Sequence, residues 1–191
     1  MIKKTAVICH GPSLIESNMG RRIDSFMHVV RFLHKGGWQT AKDYGVRTSY
    51  FCATVGRART RMRNQKPDCG YFFWSKTGGI LDKRQYGLIE KFGGADMTWL
   101  VTAWQKFLPR SKHPFFSHGT AGILIAAAVI KNPIVVFGAD LLKQGKDCNG
   151  NYIGSWLYEG REQKEMGHPL AAERGLIDKF SKKYGVEITF V

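Results

Sequence analysis

Short runs of β-branched and aromatic residues alternate along the chain with segments that have helical periodicity. Seven runs predict strands, over residues 5–9, 26–32, 48–54, 71–74, 97–102, 134–137 and 186–191. Three longer segments predict helices, over residues 81–92, 119–130 and 169–184. Alternation of this kind favours an α/β fold in which helices flank a mostly parallel sheet, as in Rossmann-like domains.

The length and composition predict one globular domain over residues 1–191. Hydrophobic residues make up 43% and aromatic residues 13% of the chain, which is enough for a packed core. No apolar run approaches the roughly 20 residues of a membrane span. The four cysteines form no Cys-x-x-Cys pair, so a zinc finger and a secreted disulfide scaffold are disfavoured. These features predict a reduced, cytoplasmic protein.

The chain is strongly basic, with 29 Lys and Arg against 15 Asp and Glu, a net charge of +14. The densest stretch places Arg57, Arg59, Arg61 and Arg63 at every second position with no acid among them. Such a charge attracts polyanions, including nucleic acid, an anionic membrane surface or an acidic glycan. A solvated basic loop is the equally weighted alternative. Arginines at this spacing share one face of a strand but scatter around a helix.

Two glycine-containing loops occupy the positions where ligands bind in parallel sheets, after a strand or before a helix. The first is residues 10–13 after the first strand, and the second is residues 117–122 before the small-residue helix. Glycine lets a ligand approach the backbone closely, and the amides at a helix N-terminus attract phosphate. Neither loop matches the sequence pattern of the phosphate-binding P-loop or the Gly-x-Gly-x-x-Gly pattern. Each loop, taken alone, is therefore also explained as a structural turn.

Several short stretches between residues 5 and 54 follow one another in a specific order. They read Gly11-Pro12-Ser13-Leu14, Gly20-Arg21-Arg22-Ile23-Asp24, Val29-Val30-Arg31 and Asp43-Tyr44-Gly45-Val46-Arg47-Thr48. Together with the preceding strand they resemble the large sialylmotif of sialyltransferases. The first loop is more similar to glycosyltransferase family 42, and the rest is more similar to family 29.

The second half of the chain carries further matches. Gly119-Thr120-Ala121-Gly122, followed by a helix and by a strand ending in Gly138, resembles the small sialylmotif. His168 and Glu173 have the spacing of the very short His-x-x-x-x-Glu motif, whereas residues 156–159 match the third motif only loosely. The resemblance covers most of residues 5–54 and 117–178. It implies the sialyltransferase-type variant of the GT-A fold.

The resemblance also implies an activity and a set of site residues. The activity is inverting transfer of an acidic sugar, sialic acid or a Kdo-like sugar, from a CMP donor to a hydroxyl group of a glycan acceptor, with no cofactor. His168 is the implied catalytic base, and Glu173 either positions this segment or is an exposed helix carboxylate. Either Tyr158 or Tyr152 is a candidate hydrogen-bond donor to the leaving phosphate, the alternative for each being an ordinary half-buried aromatic residue. The implied donor-nucleotide residues are His10, Gly11, Pro12, Ser13, Arg31, His118, Gly119, Thr120, Ala121 and Gly122.

One absence and two departures complete the sequence-based interpretation. The chain has no Asp-x-Asp pair, the motif with which many sugar-nucleotide transferases hold a divalent metal, so no metal site is predicted. His10 and Leu33 stand where the resembled families usually have Asn, which leaves the identity of the donor open. The alternatives are a glycosyltransferase that acts on nucleic acid with another donor, and a catalytically silent polyanion-binding module. The sequence does not determine the acceptor, the linkage or the oligomeric state.

Overall fold

The structure is a computed structural model that describes residues 1–9, 11–32, 40–61, 68–75, 80–108, 116–139, 157–158, 161–162 and 170–191. The strands within these ranges are β1 Ile2–Ile8, β2 Phe26–Phe32, β3 Tyr50–Thr54, β4 Gly70–Trp74, β5 Ala95–Asp96, β6 Ile134–Phe137, β7 Leu157–Tyr158, β8 Arg161–Glu162 and β9 Ile188–Phe190. The helices are α1 Gly20–Asp24, α2 Ala41–Tyr44, α3 Val55–Arg61, α4 Lys83–Lys91, α5 Thr98–Gln105, α6 His118–Ile125 and α7 Leu170–Tyr184. A π-helical segment, Ala126–Ile130, extends α6, and Pro12–Leu14 forms a 3-10 turn. None of the described helices is long and apolar enough to cross a membrane.

Seven of the strands form one sheet in the order β5-β4-β3-β2-β1-β6-β9, and every neighbouring pair in it is parallel. The separate pair β7 and β8 is antiparallel. The chain builds the sheet outward from β1 to β5 and then crosses back to place β6 on the other side of β1. The gap beyond the carboxyl ends of β1 and β6 is therefore the topological switch point, where ligands bind in sheets of this type. The predicted α/β fold with a parallel sheet is confirmed.

Alternating residues of the central strands fill two separate layers of core. Val7 of β1 and Phe32 of β2 belong to a cluster that includes buried residues of α5, α6 and α7. Ile8 of β1 belongs to a second cluster, on the side of α1 and α2. A third cluster joins β3 and β4 to α3 and α4 on that second side of the sheet. The period-2 alternation of side chains thus separates α5–α7 from α1–α4.

The prediction of a strand over residues 97–102 is wrong, because this segment begins helix α5. Its β-branched and aromatic residues suggest a strand, yet Leu100, Val101 and Trp104 are buried at helical spacing. The Asp96 side chain also accepts a hydrogen bond of 2.8 Å from the Thr98 amide, which satisfies one free donor at the start of the helix. Tertiary packing of one helix face therefore outweighs the strand propensity.

Helix α6 approaches the sheet so closely that one of its positions requires glycine. A Cβ atom added to Gly122 would lie 2.3 Å from two ring atoms of Phe32, well inside van der Waals contact. Gly87 of helix α4 has no such neighbour within 4 Å. Gly122 is therefore a packing residue between α6 and β2.

Replacing Gly122 by alanine is expected to lower the free energy of unfolding by about 1–3 kcal/mol, because the added methyl group displaces the Phe32 ring. The matched variant Gly87→Ala is expected to raise stability by up to about 1 kcal/mol, since alanine is the better helix former. Chemical denaturation of both variants measures the difference. Equal effects at the two positions would contradict the close packing of α6 on β2.

Candidate functional site

The first loop is held at the switch point by hydrogen bonds to the end of β6. The Cys9 amide donates to the Phe137 carbonyl at 2.8 Å, and the Gly11 amide donates to the Gly138 carbonyl at 2.7 Å. The Tyr44 hydroxyl donates to the Gly11 carbonyl at 3.4 Å, which connects α2 to the same loop. Gly138 has a φ of +63°, a left-handed conformation that glycine adopts without strain. The backbone of the loop is thus fixed between β1, β6 and α2.

Members of the first loop differ in accessibility. Gly11 is buried, whereas Ser13 is exposed in the 3-10 turn that Pro12 begins. His10 lies outside the described residues, so its predicted contact with the donor stays a prediction. Of the described side chains in this loop, that of Ser13 is the one placed to meet a ligand from solvent.

The second loop meets the first at the N-terminus of helix α6. A Cβ atom added to Gly119 would lie 3.0 Å from the Cys9 sulfur, so the start of α6 lies directly beside the end of β1. His118, the first residue of α6, has its ring centroid 5.7 Å from that of Trp74 at the end of β4. The structure therefore brings together the two loops that the sequence singled out.

A buried carboxylate joins this helix start to helix α7. Glu173 is fully buried, and its carboxylate accepts hydrogen bonds from the Ser117 amide at 2.9 Å and the Ser117 hydroxyl at 2.7 Å. The Thr120 hydroxyl donates to the same carboxylate. Ser117 also caps α6, because its hydroxyl accepts a hydrogen bond from the Thr120 amide at 3.2 Å. Glu173 thus joins α7 to the start of α6, and the alternative of an exposed helix carboxylate is wrong.

The remaining residues of the second loop are packing residues in this structure. Thr120 and Ala121 have no exposed side-chain surface, and Gly122 lies against Phe32. Their predicted contact with a donor therefore cannot involve their side chains. Ser117, His118 and Gly119 are half-buried at this helix start, and the Nε2 atom of His118 is buried.

The Gly-x-x-Ile-Asp and Arg-Thr segments of the large motif form a structural cluster. Both carboxylate oxygens of Asp24 accept from the Val46 amide at 3.0 Å, and one also accepts from the Arg47 amide at 2.9 Å. The Arg47 guanidinium donates to the Phe26 carbonyl, and to the Met27 carbonyl at 2.8 Å. These contacts tie the loop after α2 to α1 and β2, and neither residue was predicted to have this role.

Arg31 belongs to the same cluster. Its Nε donates to the Arg47 carbonyl at 2.8 Å, its guanidinium donates to the Tyr44 carbonyl at 2.6 Å, and it lies 3.9 Å from the Asp24 carboxylate. Burial lowers the pKa of Arg31, and the charge of Asp24 opposes this shift. Arg31 pairs with Ile8 of β1, so it is on the α1–α2 side of the sheet, away from α6. These contacts give Arg31 a structural role and do not support the predicted donor contact.

The other predicted site residues are spread over several parts of the chain. Arg57 is exposed in α3, where Arg59 and Arg61 also lie, so the basic run begins on a helix and not on a strand. Tyr158 lies in β7. Arg63 and His168 lie outside the described residues. Within the described part of the chain, no group of three or more His, Cys, Asp or Glu side chains is placed to hold a metal.

The comparisons with known proteins relate this geometry to a fold. No protein-family model and no curated protein sequence matches the chain. Two solved structures of a mammalian sialyltransferase match it with a TM-score of 0.56 and 15% sequence identity over 98% of this chain. The match covers 69% of the chain in the structure that contains Gal-beta-1-3GalNAc-ortho-nitrophenol, and 68% in the other. The chain therefore has a sialyltransferase-like fold, as the resemblance implied.

Proposed function

We propose that this chain is a metal-independent, inverting glycosyltransferase that transfers an acidic sugar from a CMP donor to a hydroxyl group of a glycan acceptor. The observation that carries the proposal is the convergence of the two motif loops at the switch point of a sialyltransferase-like sheet. Fold alone does not determine function, so the argument depends on this site. The motif-bearing residues meet where the start of helix α6 lies beside the end of β1, and a helix N-terminus favours an anionic group such as phosphate.

The proposed chemistry assigns one task to each candidate site residue. Transfer with inversion needs a base that takes the proton of the acceptor hydroxyl, and His168 has a side chain whose ordinary pKa suits this task. Hydrogen-bond donors at the start of α6 and Tyr158 would stabilise the leaving phosphate. A nucleoside monophosphate carries less charge than a diphosphate, so protein donors suffice without a metal. Glu173 keeps Ser117 and Thr120 in place and thereby fixes the start of α6.

The donor class predicts a specific stabilisation of the fold by cytidine nucleotides. A ligand that binds only the folded state adds about 2.7 kcal/mol to the free energy of unfolding at a concentration of 100 times its Kd. The melting temperature should therefore rise with CMP concentration and remain unchanged with UMP or GMP. A shift with another nucleotide class and none with CMP would contradict the donor assignment.

Transfer itself is tested by incubating the protein with CMP-, CDP-, UDP- and GDP-activated sugars and Gal-beta-1-3GalNAc-ortho-nitrophenol, the compound in the similar structure. Product formation with a CMP-activated acidic sugar, in the presence of a metal chelator, is the expected result. Product formation from a diphosphate sugar alone would refute the proposed donor, and dependence on added metal would refute metal independence.

A second candidate function, action on nucleic acid, is favoured by the net charge of +14 and by the exposed position of Arg57. In this case the basic run on and after α3 would bind the acceptor phosphates. The same run would also serve a catalytically silent polyanion-binding module.

Changing Arg57, Arg59, Arg61 and Arg63 to Ser is expected to reduce the salt dependence of duplex DNA binding by roughly one unit of slope for each phosphate that the variant no longer binds. The control changes the exposed Lys3, Arg21, Lys42 and Lys131 to Gln and removes the same total charge. Binding measured at several salt concentrations separates a local patch from a general effect of charge. Equal slopes for the two variants would mean that the run is a solvated surface.

A further inference from the structure

Helix α5 presents an unusual surface for a helix at the outside of the fold. Its eight residues carry no charged side chain, and Trp99 is 67% exposed. Ala103, one turn further along the same face, is also exposed, and Phe107 in the following turn is 57% exposed. Leu100, Val101 and Trp104 are buried against the rest of the fold. The helix is therefore apolar on its outer face as well as on its inner face.

Lysine side chains stand beside the aromatic rings at the end of this helix. The Lys106 ammonium lies 5.5 Å from the centroid of the Phe107 ring, and the Lys183 ammonium lies 5.4 Å from that of Trp104. Trp104 is in turn 5.7 Å from Phe107, and its indole N–H donates to the Tyr184 hydroxyl at 3.1 Å. These contacts place the C-terminal end of α7 next to the end of α5.

The end of α7 adds further positive charge to this side of the molecule. Lys179, Lys182 and Lys183 are exposed there, and Asp178 is the one acidic residue between Leu170 and Tyr184 besides the buried Glu173. The α5–α7 surface is defined here as Trp99, Ala103, Lys106, Phe107, Lys182 and Lys183. It combines exposed aromatic side chains with a basic border.

We propose that the α5–α7 surface docks on a membrane that contains anionic lipids. Trp and Phe side chains partition into the boundary between headgroups and acyl chains, and nearby lysines attract anionic headgroups. The charge of the chain, +14, complements such a membrane and opposes the approach of a second copy. This inference is independent of the proposed transferase activity, because it concerns a different set of residues and a binding reaction without chemistry.

The experiment is co-sedimentation of the full chain with phosphatidylcholine vesicles that either contain or lack phosphatidylserine. Binding is expected only to the anionic vesicles and should weaken at high salt. The double variant Trp99→Ser/Phe107→Ser should bind at least about tenfold more weakly. Replacing Lys182 and Lys183 by Gln should weaken binding to the anionic vesicles about fivefold for each lysine.

Matched controls use helix α4 and the residues just before it, on the other side of the sheet. The exposed Ile80 and Tyr86 are replaced by Ser to match the aromatic variant, and the exposed Lys83 and Arg84 are replaced by Gln to match the lysine variant. Both controls should bind anionic vesicles as the wild type does. The proposal would be overturned if the control variants lost as much vesicle binding as the α5–α7 variants. It would also be overturned if the wild type bound neutral vesicles as well as anionic ones.

A spectroscopic measurement locates the contact directly. Vesicles with brominated acyl chains should quench the tryptophan fluorescence of the wild type, and Trp99→Phe, which keeps an aromatic ring, should bind similarly but lose most of the quenching. Unchanged quenching in this variant would overturn the assignment of Trp99 to the interface. A concentration-dependent dimer in analytical ultracentrifugation that the Trp99→Ser/Phe107→Ser variant abolishes, without vesicle binding by the wild type, would overturn the proposal and show that a second copy covers this surface.

Discussion

Replacing His168 by alanine is expected to lower turnover by roughly 10²–10⁴-fold, the usual contribution of a positioned general base. The expectation follows from the match to the His-x-x-x-x-Glu motif and from the contacts of Glu173, five residues later. Since Glu173 joins α7 to the residue that caps α6, the first turn of α7 lies close to the start of α6. The affinity for CMP should remain nearly unchanged, because a base acts on the acceptor hydroxyl.

The measurement is steady-state turnover with a CMP-activated acidic sugar, combined with the thermal shift that CMP produces. His28→Asn is the matched control, because His28 lies in the first half of β2, away from the carboxyl ends of the strands. Burial, and to a smaller extent the charge of Arg47, lowers the pKa of His28. Turnover of the folded His168→Ala variant close to that of wild type would remove His168 from the mechanism.

The fold was predictable where local signals agreed with the packing. The apolar runs of β1, β2 and β6 are buried in the middle of the sheet, and glycine or proline lies close to the ends of β1 and β6. For these segments, the local composition and the observed burial both indicate a strand. Helix α5 was not predictable from the same signals, because its β-branched residues suggest a strand. Which face of such a segment is buried depends on the helices that meet it, and local sequence does not contain that information.

The candidate site, like the fold, was predictable from the sequence only in part. The positions of the two loops followed from the rule that ligands bind beyond the carboxyl ends of parallel strands. The roles of individual residues did not follow, because Asp24, Arg31 and Arg47 become partners only when three segments of the chain come together. The Ser-x-x-Thr pattern at residues 117–120 was the one available signal for the cap of α6. Motif resemblance therefore located the region, whereas contacts separated its packing residues from its accessible ones.

Replacing Glu173 by alanine is expected to lower the free energy of unfolding by about 3 kcal/mol or more. The variant loses the acceptor of three hydrogen bonds and leaves the half-buried Ser117 amide without this partner. Hydrogen bonds to a charged acceptor contribute roughly 1.5–3 kcal/mol each, and a donor left without a partner away from water costs a further 1–3 kcal/mol or so. These terms overlap because Ser117 and Thr120 belong to one network, so the total falls below their sum.

The matched control is Glu90→Ala, which removes an exposed glutamate from helix α4 and should change stability by no more than about 0.5 kcal/mol. Glu173→Gln keeps one good acceptor and should recover a large part of the loss. Chemical denaturation measures all three variants, and the CMP-dependent thermal shift reports on the start of α6. A positioning role predicts that Glu173→Gln recovers stability and the CMP response together. If Glu173→Ala is as stable as Glu90→Ala, the carboxylate does not join α7 to the start of α6.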